Sequence, residues 1–368
     1  MKSYYSLGLM SGTSMDGVDA SIIQSDGVNK FKVILDSYFE YSKDIYKDLT
    51  QLRDKIKSSE NLKKFAKEIK SFEKEITLFN AKLVNKILKK SKVNIDFVGF
   101  HGQTIFHNAN EKISIQLGDG ELLSKLTKKN VVYNFRENDL KNGGQGAPLT
   151  PIFHKLLKNK YKLKLPLIIL NIGGIANLTY IDIKDNMYSN DIGPRNFLID
   201  QWIRLNSKKK FDENGKLAGS GIINKKILTR ALKNFEDKVK NINSPKSYDV
   251  KDFDPSFVIG LSIEDGAATL TEYTSEILCN NLKMTHEDSD VNIIISGGGR
   301  KNRFLVKSIE EKIDIPVRLI DDYGIDGDFV ESQAFAYLAI RSYLNLPISF
   351  FNTTGVKKPC LGGVLSKI

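Results

Sequence analysis

The sequence predicts an α/β protein of two lobes, and three observations carry that reading. The chain has 368 residues, more than one hydrophobic core usually organises. Short apolar runs alternate with longer segments of helical periodicity, the pattern of an α/β protein. Two units of the same form begin at residues 4 and 166, each an apolar strand, a glycine-containing turn and a returning strand. One opens each half, which suggests a duplicated lobe.

Taken in order, residues 4–10 form a strand that enters SGTSMDG, with returning strands near 18–25 and 31–38. Residues 44–90 read as one helix. Leu62, Phe65, Ile69, Phe72, Ile76, Phe79, Leu83 and Ile87 recur every three or four residues, the stripe of a helix that packs on a core. A buried strand follows at 95–101 and a short one at 113–117. Gly143, Gly144, Gly146 and Pro148 mark a loop. The lobe boundary is placed just before it, giving lobes of 1–134 and 135–368. The second strand–turn–strand unit spans PLIILNIGGIANLTYIDI, with helices expected at 195–205, 221–236 and 263–283. VNIIISGGGRKN then reads as strand, glycine turn and helix, before a strand at 316–320 and a helix at 328–345.

Composition narrows the function. Hydrophobic residues make up 41% and charged residues 27%, ordinary for a globular protein. No apolar run is long enough for a transmembrane helix. The first residues, MKSYYSLGLMSG, lack the apolar core and cleavage site of a secretory leader. Two cysteines and four histidines show no metal-ligand spacing. A cytoplasmic chain with free thiols is expected. The net charge of +11 comes from lysines scattered through helices, with no aromatic-interleaved basic segment. It is read as surface charge rather than a nucleic-acid footprint.

Five motifs could carry chemistry. The first is Gly12-Thr13-Ser14-Met15-Asp16-Gly17-Val18-Asp19. Glycines let backbone amides approach phosphate oxygens, and Thr13 and Ser14 add hydroxyl donors. Asp16 and Asp19 are hard oxygen ligands suited to Mg²⁺ bridging phosphates. No GK[ST] follows, so this is not a Walker loop. The second, Asn171 to Asn177 through Gly173 and Gly174, offers a second phosphate loop. Alone, a Gly-Gly turn is usually a hairpin, and the pairing with the first motif raises it. The third, Ser296-Gly297-Gly298-Gly299-Arg300-Lys301-Asn302, is a strand-to-helix turn on which a nucleotide could lie. Asn302 stands where a dinucleotide fingerprint needs glycine.

The fourth motif is Asp191-Ile192-Gly193-Pro194-Arg195-Asn196. A carboxylate at a strand end suits a general base, while an N-cap is the plainer alternative. The fifth gathers His101, Gln103, Thr104, Arg136, Gln145 and Glu331. These are polar groups near strand ends and loops, fit to hydrogen-bond a sugar, and an Arg could grip a carboxylate bidentately. Asp212-Glu213-Asn214-Gly215 lacks the later ligands of a calcium loop and reads as a turn.

As a set, these segments resemble the anhydro-N-acetylmuramic acid kinase family. The resemblance rests on GLMSGTSMDGVDA at 8–20, GFHGQTIFH at 99–107, GGQGAPLTPIFH at 143–154, LNIGGIANLTYI at 170–181, DIGPRN at 191–196 and IIISGGGRKN at 293–302. They occur in the family's order and span nearly the whole chain. The resemblance implies a two-lobed ribonuclease-H-like fold of the actin, hexokinase and Hsp70 kind, with ATP in an interlobe cleft. It implies a phosphotransferase that turns 1,6-anhydro-N-acetylmuramic acid, water and ATP into N-acetylmuramic acid 6-phosphate and ADP. This is a step of peptidoglycan recycling, usually performed by a homodimer. It places ATP on 12–19, the base at Asp191 and Glu331 near the sugar, with Asn196 beside the base in the same motif.

Three departures stand out. Arg195 sits where the family usually has a small residue, Asn134 replaces the usual Asp before Phe135-Arg136, and 331–336 keep the Glu but vary around it. A cation so close to Asp191 would lower its pKa. Two other readings stay open on these residues: a kinase for another anhydrosugar such as levoglucosan, and an ATP-driven binding protein on the same fold.

Overall fold

The computed structural model describes every residue except Met1, Gly174, Ile175, Arg195, 241–252 and 286–289, together with the side chains of 239–240. The chain divides into two compact units, Met1–Leu163 with Phe329–Ile368, and Lys164–Asp328.

The first unit is built on a mixed sheet. Strands β1 (Tyr4–Ser11), β2 (Gly17–Ser25), β3 (Phe31–Glu40), β4 (Phe97–Asn108), β5 (Ile113–Leu117) and β6 (Asn130–Tyr133) contribute, with Val364–Ser366 at one edge. The order is β3-β2-β1-β4-β6, with β5 paired to β4. β1, β2 and β3 run antiparallel. β4 is parallel to β1, and β6 to β4.

The second unit repeats this plan with β7 (Leu167–Ile172), β8 (Ala176–Ile181), β9 (Met187–Gly193), β10 (Asn292–Ser296) and β11 (Val317–Leu319). Its order is β9-β8-β7-β10-β11. Again three antiparallel strands come first and two parallel strands follow. Both units are ribonuclease-H-like. The echo seen in two hairpins is therefore an echo of whole sheets.

Parallel strands buried on both faces explain why β7 and β10 read as unbroken apolar runs. Every residue of β7 is buried. In the first unit Leu7, Leu9, Val18, Ile22 and Phe100 pack with Leu49, Leu52 and Val84 of the covering helices. In the second, Ile168, Leu170, Ile293 and Ile295 pack with Leu278, Leu282, Leu305 and Ile309.

Two expectations are corrected. The segment 44–90 is three helices, Lys43–Lys55, Ser59–Lys64 and Ala66–Ser91. Asn61 Oδ1 accepts from the backbone N–H groups of Lys57 and Ser58, a local bond that competes with continuing the helix. The apolar stripe itself faces the core as expected, with Ile76, Leu83 and Ile87 buried. The chain also divides at 163/164 rather than 134/135, and it returns to the first unit at Phe329. The glycine loop that looked like a boundary is bonded inside the first unit: Gln145 N–H donates to Thr354 O at 2.7 Å, and Gly146 N–H to Asp139 Oδ1 at 2.6 Å.

The returning helix, Val330–Tyr343, lies against β1, β2 and β4. It can do so because Gly8 and Gly99 face it. A Cβ on Gly8 would sit 1.9 Å from Ser332 O, and one on Gly99 2.3 Å from Phe335 O. Polar bonds fix the helix's rotation: Ser21 Oγ meets Ser332 Oγ at 2.6 Å, and Gln333 Nε2 donates to both oxygens of Asp36 at 3.3 and 3.2 Å. Glu331, half-buried, stands beside these anchors in the first turn.

Candidate active site

In the first unit the site begins at the carboxyl end of β1. Residues 12–15 form a turn closed by Met15 N–H donating to Gly12 O at 3.2 Å. Met15 has a φ of 58°, a conformation that costs a non-glycine residue roughly 1–2 kcal/mol. Its side chain is 1% exposed, so burial in the core offsets the strain. Thr13, Ser14 and Asp16 are left exposed. Ser14 Oγ donates to Asp16 Oδ1 at 2.6 Å. Val18 is fully buried, and Gly17 lies close under the Tyr38 ring. Met15 and Val18, expected at the nucleotide, therefore offer backbone only.

Neighbouring strands fasten both ends of this turn. Gln103 of β4, completely buried, donates from Nε2 to Gly12 O at 3.0 Å. Tyr41 N–H donates to Asp16 O at 2.8 Å, and the Tyr41 hydroxyl meets Ser11 Oγ at 3.0 Å. Gln103 was expected at a sugar; the structure turns its amide onto the turn instead. Its Oε1 is buried without a partner among the described residues. Gln103→Met removes the bond to Gly12 O, a long one to Thr104 O at 3.4 Å and one unsatisfied acceptor together, so stability should change by only about 1 kcal/mol. If the turn holds the phosphates of ATP, as the resemblance implies, loss of its anchor should raise KM for ATP about tenfold while the sugar's KM holds. Unchanged ATP kinetics would reduce Gln103 to core packing.

A second polar group lies on β4, β5 and the 134–146 loop. His101, 5% exposed, bonds Gly102 O through Nδ1 at 2.8 Å. Its Nε2 accepts from Arg136 Nε at 3.2 Å and Nη2 at 2.9 Å. A guanidinium only donates, so Nε2 is the bare nitrogen and the ring is neutral. Burial and then the Arg136 charge hold His101 well below the usual histidine range. Arg136 Nη1 also donates to Gly146 O at 2.8 Å. The half-buried guanidinium is thus aimed by His101 and by the glycine loop that carries Gln145. Thr104 Oγ1 accepts from Gln116 Nε2 at 3.3 Å. His107, lowered to about 4 by burial and Arg136, bonds Ser114 Oγ at 2.9 Å.

The second unit collects its motifs at one end of its sheet. Asn177 of β8 pairs directly with Asp191 of β9, so the two share one cross-strand position. Asp191 lies two residues before the strand's end and is half-buried. β9 ends at Gly193, and the helix Asn196–Asn206 follows. Asn196 Oδ1 is buried without a hydrogen-bond partner among the described residues. Gly173 is half-buried in the turn between β7 and β8, while Gly174 and Arg195 lie outside the described residues.

The three consecutive glycines have different tasks. β10 runs beside β7 with Ser296 opposite Asn171. A Cβ on Gly297, whose φ is 79°, would meet Asn171 Oδ1 at 2.3 Å, and one on Gly299 would meet Ile172 Cγ2 at 2.2 Å. A Cβ on Gly298 would meet nothing among the described residues within 4 Å. Gly297 and Gly299 seat the turn on β7, and Gly298 presents its open face. Asn302, expected at the nucleotide, caps the next helix, its Oδ1 accepting from Leu305 N–H at 3.0 Å.

The chain matches the family model described as anhydro-N-acetylmuramic acid kinase over residues 4–367. It belongs to the anhydro-N-acetylmuramic acid kinase family. It is 55% identical over 375 residues to an anhydro-N-acetylmuramic acid kinase of Pelagibacter ubique, covering 100% of this chain and 99% of that one. It is 38% identical over 366 residues to an enzyme of the same name from Zymomonas mobilis, covering 97% and 98%. Among solved structures it is similar to component A of (R)-2-hydroxyglutaryl-CoA dehydratase from Acidaminococcus fermentans. That match has TM-score 0.48 and 11% identity, covers 93% and 99% of the two chains, and is too distant to assign anything here.

As a member of the anhydro-N-acetylmuramic acid kinase family, the chain is an enzyme of the sugar-kinase type. Three residues shape these turns in roles that nothing along the chain reveals. Asp139, 1% exposed, shapes the GGQG loop through Gly146 N–H and through Thr354 Oγ1 at 2.6 Å. Tyr41 and Arg300 act on their turns in the same indirect way. Each is recognisable only by what it touches. No helix of the described residues is long and apolar enough to cross a membrane.

Proposed function

We propose that this member of the family is an ATP-dependent kinase that opens 1,6-anhydro-N-acetylmuramic acid with water and phosphorylates O6, in the recycling of peptidoglycan fragments. The observation that carries the residue roles is the gathering of Asp191, Asn177 and the open Gly298 face at one end of the second unit's sheet. Strand ends of this kind are where open α/β sheets bind ligands.

In this reading Asp191 takes a proton from a water that attacks C1. The bridge bond from C1 to O6 breaks, and the freed O6 attacks the γ-phosphorus of ATP while ADP leaves. The Gly12–Asp16 turn and the Asn171–Asn177 turn orient phosphates through backbone amides. The Gly297–Gly299 turn receives the adenosine end. Glu331, Asn196, Gln145 and Arg136 orient the sugar, and Arg136 takes its lactyl carboxylate.

Magnesium fits this chemistry as a partner of the phosphates. Among the described residues no group of three or more His, Cys, Asp or Glu could hold a metal by itself. Asp16, Glu40 and Asp19, after burial, hold the Tyr38 phenol above the usual tyrosine range, so carboxylate charge is concentrated at the turn. Asp16 and Asp19 would reach a phosphate-bound Mg²⁺ through water, and the ion would neutralise phosphate charge. A cytoplasmic homodimer completes the proposal.

The test is a panel of anhydrosugars with MgATP and product analysis. ADP should form with the muramic sugar and only weakly with levoglucosan. Sugar-independent turnover would favour the ATP-driven binding protein instead. Arg136→Ala should cost the muramic substrate about 10–100-fold in kcat/KM, the value of a charge-assisted pair, and cost levoglucosan far less. Equal losses on both would remove Arg136 from the lactyl group.

A further inference from the structure

Arg300 is a charged side chain only 5% exposed, in the turn that follows the three glycines. Its Nε donates to Asp321 Oδ2 at 2.6 Å and its Nη2 to Asp321 Oδ1 at 3.0 Å. Nη1 donates to Asp328 Oδ1 at 2.7 Å and to Gly297 O at 3.1 Å. Asp326 Oδ1 lies 3.5 Å from Nη2, and Lys301 pairs with the other oxygen of Asp328. The loop closes this tightly because position 327 is glycine: a Cβ there would sit 2.4 Å from Arg300 Nε.

One guanidinium therefore ties the glycine turn to the 321–328 loop. Burying the guanidinium is expensive, and with its carboxylate partners still partly exposed the pairs add little net stability. What it does supply is a single geometry, and Arg does so better than Lys because its donors form a rigid fork. A run of three glycines has little of its own to hold it in one shape. Gly297 and Gly299 rest on β7, and Gly297 O is held in addition by the Arg300 fork.

We propose that Arg300 is a positioning residue for nucleotide binding, holding the Gly297–Gly299 turn rigid through Asp321, Asp328 and the Gly297 carbonyl. The proposal rests on the reading that this turn receives adenosine. Arg300 contacts no nucleotide; it reduces the ordering that binding would otherwise require.

The test measures ADP binding by calorimetry, KM for ATP and for the sugar, and melting temperature in Arg300→Met, Arg300→Lys, Asp321→Asn and Gly298→Leu. Arg300→Met should weaken ADP about tenfold or more, with the sugar's KM within about twofold, as the sugar does not use this turn. Arg300→Lys should recover part of the loss. Asp321→Asn, the milder variant, should reproduce its direction if Arg300→Met does not fold. Gly298→Leu tests the reading beneath, since its side chain enters open space and should block ADP without lowering the melting temperature. Weakened ADP in Gly298→Leu with unchanged ADP in Arg300→Met and Asp321→Asn overturns the Arg300 proposal alone. Equal losses for ATP and sugar also overturn it, as general loosening. Unchanged ADP in Gly298→Leu overturns the adenosine assignment, and the Arg300 proposal with it.

Discussion

Asp191→Asn should abolish ring opening and phosphorylation together, by about 10²–10⁴-fold or more in kcat. The carboxamide keeps the shape of the side chain opposite Asn177 on the β8–β9 ladder, so binding of ATP and sugar should survive. What is lost is the basic oxygen. The two steps fall together because O6 exists as a nucleophile only after the bridge opens. Isotope placement separates the alternatives. In ¹⁸O water the label should appear on C1 of the sugar product, read before anomeric exchange. Early NMR should show inversion at C1, as attack opposite the bridge requires. Label in inorganic phosphate would mean ATP hydrolysis, and an unlabelled phosphosugar would mean an ordinary kinase. Phosphorylation that survives in Asp191→Asn would end the assignment.

Gly8→Ala should be the most damaging single methyl group in the first unit. The added carbon would lie 1.9 Å from Ser332 O and 2.5 Å from Ala336 N. Both are backbone atoms of a helix, so no rotamer change relieves the clash. Overpacking a core usually costs about 1–3 kcal/mol, and more where backbone must move. We expect roughly 3 kcal/mol or more, a loss of roughly 6–12 °C in melting temperature at this unit size. The clash falls one residue from Glu331, so if Glu331 orients the sugar as proposed, kcat should fall even in the folded fraction. Gly298→Ala is the control, since its Cβ meets nothing among the described residues within 4 Å; its melting temperature should match the parent. A Gly8→Ala protein as stable as the parent would mean that the helix and β1 pack less closely than described.

Much of this was legible along the chain. Period-two and apolar runs located nearly every strand, because a strand's burial pattern is written into its own residues. The glycine turns announced themselves because few other residues permit such backbone. The family motifs by themselves point to the sugar kinase. The β6 strand, the helices Gly120–Thr127 and Pro151–Tyr161, and the closing strand Val364–Ser366 were missed. They are short, and their burial is decided by partners far away in sequence.

What only the tertiary structure decided is the division of labour within each motif. In HGQT, His101 aims Arg136 and Gln103 holds the Gly12–Asp16 turn, although both were expected at the sugar. In GGGRKN, Gly297 and Gly299 serve packing, Gly298 stays open, Arg300 clamps and Asn302 caps. The same holds for the boundary, where the glycine loop placed beside it is bonded to Asp139 and Thr354. Sequence by itself determined which backbone and side-chain chemistries are present and in what order, because residue type and local period are properties of short segments. It left open which atoms those groups meet, because hydrogen bonds and close contacts between residues hundreds of positions apart exist only once the sheets have assembled.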